Sequence, residues 1–106
     1  MHFTDLQARA LDIRKEYEAF ELKKYGKKWT REQLAQGFVG DVGDLMKLVL
    51  AKSGVRSIEE ADAKFAHELS DCLWSVMVLA HEYGVDLETE FLKTMDGLKN
   101  KLKTLE

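Results

Sequence analysis

Proline is absent from the 106-residue chain. Nothing therefore bars any segment from continuing as a helix, and helices joined at glycine-marked turns are expected. Cysteine occurs once, at Cys72, which excludes an intrachain disulfide and suits a reducing cytoplasm. Cys72 lies in an apolar run, where a cysteine is more often a small buried hydrophobe than a nucleophile. The net charge of -3 and the lack of a basic stripe with interleaved aromatics argue against a nucleic-acid polymer as partner. The longest apolar stretch, Cys72 to Ala80 with Ser75 inside it, is too short to cross a bilayer, so no membrane partner is expected. The sequence opens Met-His-Phe-Thr-Asp, without the basic segment and apolar run of a signal peptide, and a cytoplasmic protein is expected.

What is present is capping chemistry and helical spacing, over a length that suits a single all-α domain, residues 1–106. Thr4 with Gln7 forms a capping box and Gly26 a terminator, which predicts a helix from about Asp5 to Tyr25. Its apolar positions are Leu6, Ala10, Ile13, Tyr17 and Phe20, opposite a polar face of Arg9, Asp12, Lys15 and Glu16. Thr30 with Gln33 opens a second helix running to about Lys52, with Gly54 beyond it. Ser57 with Glu60 predicts the start of a third, ending near Tyr83 and Gly84. Asp86 caps a fourth, with Leu87, Phe91, Met95, Leu98 and Leu102 at helical spacing. A four-helix bundle follows.

Two features of that bundle ask for a partner. The second helix contains Gly37, Gly40 and Gly43, each costing about 1 kcal/mol relative to alanine. Close approach of a ligand or of another backbone would explain them, and so would a small-residue packing ridge. The third helix is apolar on nearly every side from Leu69 to Ala80. With Leu69, Cys72, Leu73, Val76, Leu79 and Ala80 turned inward, Trp74, Met77 and Val78 are left for a subunit contact. A homo-dimer or a dimer of dimers is expected.

The chemistry lies in two acidic steps, Asp41-Val42-Gly43-Asp44 and Glu68-Leu69-Ser70-Asp71. Carboxylates at i and i+3 share a helix face. Asp41 falls among Leu34, Phe38, Leu45 and Leu48, and Glu68 and Asp71 open the apolar run of the third helix. Acids aimed at a core need a positive partner. A hard divalent cation such as Mg2+, which takes oxygen ligands from carboxylates, water and phosphates, is one answer. Local ion pairs are the other: Lys47 lies three beyond Asp44, Lys64 four before Glu68, and His67 four before Asp71. The residues alone leave both open.

The stretch from Trp29 to Leu45, followed by His67-Glu68-Leu69-Ser70-Asp71-Cys72-Leu73-Trp74, resembles the MazG-like family of all-α nucleoside triphosphate pyrophosphohydrolases. That family's pattern is Glu-x-x-Glu, a spacer of one to two dozen residues, then Glu-x-x-Asp. The second step matches it unaltered. The first carries aspartates for both glutamates but keeps the Val-Gly centre, and Gly40 stands where an acid is often found. Thr94 and Leu98 flank Met95 where the family tends to place lysine and asparagine.

The resemblance implies Mg2+-dependent attack of water on a nucleoside triphosphate, releasing the monophosphate and pyrophosphate. It assigns Asp41, Asp44, Glu68 and Asp71 as metal ligands and catalytic carboxylates, one of which can also orient the water. Trp29 is the residue placed to stack on the base, unless it serves only as a staple at the helix entrance. Lys47 and Lys93 are the phosphate contacts. His67 and His81 are more often surface residues than ligands at such positions. A relative that binds nucleotide or a partner protein with weakened catalysis is the alternative, since each aspartate of the first step is one methylene short.

Overall fold

The computed structural model describes residues 1–105 and, among them, is all-helical with no strand. Its four helices are α1 (Phe3–Tyr25), α2 (Arg31–Lys52), α3 (Ala61–Glu82) and α4 (Leu87–Leu105). The stops lie where the glycines predict them. Gly26, Gly54 and Gly84 all have positive φ, and after α2 and α3 the N–H of Val55 and of Val85 reaches back to the carbonyls of Leu50 and Ala80. The Thr30–Gln33 capping box forms reciprocally, and Asp86 accepts from the Thr89 N–H at 3.1 Å.

Two starts differ from expectation. At α1 it is the Asp5 carboxylate, accepting from the His2 N–H at 2.9 Å, that holds the entry, so the helix begins before Thr4. At α3 the Ser57–Glu60 box gives way to a turn. Glu60 sits at φ 54, in the left-handed region, and the helix begins only at Ala61. A residue at N3 of a capping box must be helical, so this backbone excludes the box.

Packing is concentrated between α2 and α3 and between α1 and α3. α3 is therefore the central element, and its inner face is not the one expected. Met77 and Val78 are 4 % exposed, and the Trp74 indole N–H donates to the Ala10 carbonyl of α1 at 3.0 Å. Leu69 and Leu73 are the half-exposed ones. The expectation of a subunit contact through Trp74, Met77 and Val78 is thus corrected: Met77 and Val78 form the interior of one chain, and Trp74, half-buried, is tied to α1. α1 and α2 cover the side that carries Trp74 and Glu68, and the Leu69–Leu73 side is left open.

α4 does not close a four-helix bundle within one chain, and none of its residues is buried. Its apolar face, with Phe91, Leu92, Met95, Leu98 and Leu102, is exposed along its length. Near its start, Leu87, Phe91 and Leu92 form with Phe3, Leu73 and Val76 an apolar groove of about 560 Å³. No helix among the described residues is long and apolar enough to cross a membrane.

Candidate metal centre

The α2 stripe of Leu34, Phe38, Leu45 and Leu48 lies against α3, with Asp41 half-buried in the same row. That packing brings Asp41 and Asp44 of α2 across to Glu68 of α3. One carboxylate oxygen from each of the three lies within 4.8 Å of the others. Three of the four acids singled out from the sequence are brought together in this way. Asp71, one turn beyond Glu68, is outside that set and pairs with His67, Nε2 to Oδ2 at 3.3 Å.

The ion-pair alternative is met only at the edge. Lys47 lies 3.8 Å from Asp44, and both are well exposed. Lys64 makes no ion pair with Glu68 among the described residues, and Glu68 Oε1 is buried without a hydrogen-bond partner. Asp41 Oδ2 accepts from the Ser75 hydroxyl at 3.4 Å, and no basic side chain among the described residues pairs with it. Burial pushes the Glu68 carboxyl above its ordinary pKa, and the charges of Asp41, Asp71 and Asp44 and a hydrogen bond with Asp41 push it further. Burial, reinforced by Asp41, Glu68 and Asp71, also pushes the Cys72 thiol pKa up.

An orphaned carboxylate oxygen inside an all-oxygen acidic set fits a cation. These three residues can hold a metal ion, and their hard donors favour one that prefers oxygen.

The set adjoins two open clefts. One, of about 370 Å³, is walled by Tyr17, Phe20, Tyr25, Trp29 and Trp74, with Asp41 at its edge. The other, of about 420 Å³, is lined by Asp44 and Glu68 together with Lys47, Lys64 and His67. Trp29 lines the cleft that includes Asp41, and Lys47 lines the one that includes Asp44 and Glu68. Lys93 lines neither: it sits on α4, paired with Glu90 at 3.5 Å. The glycines of α2 divide as well. At Gly37 an added Cβ would meet the Trp29 ring at 3.4 Å, while Gly40 and Gly43 face open space. The close approach is therefore by a side chain, at one glycine of the three.

Several site residues were not singled out from the sequence. Tyr17 and Phe20 were assigned to the core but are half-exposed cleft walls, and Lys64 counted only as an ion-pair partner. Arg14 and Glu21, both buried on α1, were not picked out at all. Their signal is faint: two opposite charges seven apart fall on one helix face, but so do many solvated pairs.

No known protein family, curated protein or solved structure matches the chain.

Proposed function

We propose that the chain is a Mg2+-dependent nucleoside triphosphate pyrophosphohydrolase, releasing a nucleoside monophosphate and pyrophosphate. One observation carries the reading: the acidic set with its unpartnered Glu68 oxygen adjoins an aromatic cleft on one side and, on the other, a cleft that also holds Lys47 and Lys64. A nucleotide has the same order of parts, a planar base, then a phosphate chain that needs cations. Asp41, Asp44 and Glu68 hold the metal, which when bound polarises the phosphoryl oxygens and offsets their charge. Trp29, with Tyr17 and Trp74, takes the base by stacking. Lys47 and Lys64 take the terminal phosphates. One of the carboxylates orients the water that attacks the α-phosphorus and accepts its proton, and the bond to pyrophosphate breaks. The working form is a homo-dimer or a dimer of dimers, which would cover the open face of α4 and α3.

A second reading, nucleotide binding with weak turnover, is favoured by a specific feature. Asp71 is already held by His67, and Asp44 is largely exposed. A pyrophosphate-release screen over the common ribo- and deoxyribonucleoside triphosphates separates the two. The expected result is equimolar monophosphate and pyrophosphate with magnesium and none with a chelator. Release of orthophosphate and diphosphate instead would sink the proposed bond. Binding of nucleotide without any release would favour the second reading.

A further inference from the structure

Arg14 and Glu21 are 5 % and 6 % exposed, the two charged residues buried among those described. They lie two turns apart on α1 and meet in a fork: Nη1 donates to Oε2 at 2.9 Å and Nη2 to Oε1 at 3.0 Å. Glu21 Oε1 also accepts the backbone N–H of Trp29 at 2.9 Å. A buried pair of this kind contributes little net stability, because desolvation offsets the attraction, and apolar residues of similar volume often serve as well. Its presence here therefore asks for a reason other than stability.

The third hydrogen bond supplies one. Trp29 is the last residue before the Thr30 cap, so its backbone is tied to α1 on one side and to the start of α2 on the other. With both ends fixed, its ring lies over Gly37, where an added Cβ would meet it at 3.4 Å. That seat leaves the ring lining the aromatic cleft together with Tyr17, Trp74 and Asp41. Arg14 and Glu21 also line the cleft. A carboxylate fixed by two guanidinium bonds cannot rotate, so the N–H it accepts is fixed as well.

We propose that Glu21, clamped by Arg14, is a positioning residue that holds the Trp29 ring as a wall of the cleft it shares with Asp41, for stacking on a planar base. The inference rests on the reading of the aromatic cleft as the base site. It adds that affinity for the base depends on a charge pair that itself need not touch it.

The test is the double variant Arg14→Met with Glu21→Leu, which removes both charges and keeps apolar volume. It should stay folded by circular dichroism and thermal melting. The KM for nucleoside triphosphate should rise about tenfold, the order of a lost base–aromatic stack, with kcat little changed. Independently of turnover, the Trp29 indole N–H resonance should shift and broaden, while that of Trp74, bonded to the Ala10 carbonyl, should stay. A folded double variant with an unmoved Trp29 resonance, or with the parental KM, overturns the proposal. Should the double variant not fold, Glu21→Gln is read by the same two measurements, and loss of fold in both makes the pair structural and overturns it too. If the parental protein hydrolyses no triphosphate, the pyrophosphohydrolase reading falls on that result, and the clamp is decided by the Trp29 resonance and by its response to added nucleoside monophosphate.

Discussion

Glu68→Gln is expected to lower triphosphate hydrolysis on the order of a thousandfold while raising the melting temperature of the metal-free protein. The first effect follows from losing a charged ligand: metal stabilisation of the reacting phosphoryl group is worth several kcal/mol, at about 1.4 kcal/mol per tenfold. The second follows from burial. Glu68 Oε1 has no partner, and three other carboxylates crowd the side chain, so its ionised form is disfavoured in the folded state. Glutamine keeps the shape and removes the repelling charge.

The pH dependence has a definite sign. The folded pKa of Glu68 is raised, so the folded state holds its proton more tightly than the unfolded one. The stability this contributes is fully present below the unfolded pKa and is lost as pH rises through the folded pKa. With a chelator present, the variant should therefore melt above the parent at neutral pH, and the two curves should converge on acidification. Glu21 acts in the opposite direction. Its pKa is held down chiefly by the Arg14 hydrogen bond, against burial, so its contribution is lost as pH falls. It is common to both proteins and cancels in the difference. Millimolar magnesium should raise the melting temperature of the parent and not of the variant. A metal-free variant less stable than the parent at neutral pH, still hydrolysing triphosphates at the parental rate, would sink the ligand assignment.

The parts of this site that were legible in the sequence are those written in local spacing. Asp41, Asp44 and Glu68 could be paired across two helices because each step fixes a face, and Leu34, Phe38, Leu45 and Leu48 fix which side of α2 turns inward. Thr30 with Gln33 and the glycine stops follow from backbone chemistry within one turn. α3 was harder. From Leu69 to Ala80 apolar residues surround the helix, so periodicity does not choose an inner face. The choice is made by the Trp74 indole reaching the Ala10 carbonyl, a contact 64 residues apart. Asp71 falls outside the metal set although the i, i+3 spacing joins it to Glu68. Adjacent positions on one face diverge once His67 draws the second carboxylate aside. Arg14 and Glu21 were invisible for a similar reason: their burial depends on where Trp29 returns to α1, which no window of α1 contains.

Light scattering is expected to give a mass of twice the 12.2 kDa chain, or a multiple of it. A compact monomer of that mass exposes roughly 6,100 Å², whereas this chain exposes 8229 Å². Its radius of gyration is 17.1 Å, against about 13 Å for a compact domain of this length. The surplus of roughly 2,000 Å² per chain is in the range that obligate dimers bury. Its location is also clear. α4 has no buried residue, and Phe91, Met95, Leu98 and Leu102 form one apolar row beside the groove floored by Leu73 and Val76. Charge along α4 is polarised, with Glu88 and Glu90 at its start and Lys99, Lys101 and Lys103 towards its end. Two α4 helices packed antiparallel would set acid against base, and packed parallel would oppose like charges. Leu98 is near the middle of the row and half-exposed in the single chain. Leu98→Lys should weaken association on the order of tens of fold, since two half-exposed leucines, each losing about half of the roughly 1.5–3 kcal/mol of full burial, leave the interface. The melting temperature of the parent should rise with protein concentration, and that of the variant should be lower and lose this dependence. Substitutions at Met77 or Val78 should instead unfold the chain without passing through a folded monomer. A parent that is monomeric at micromolar concentration, with a melting temperature independent of concentration and unmoved by Leu98→Lys, would mean that this face is left open to water.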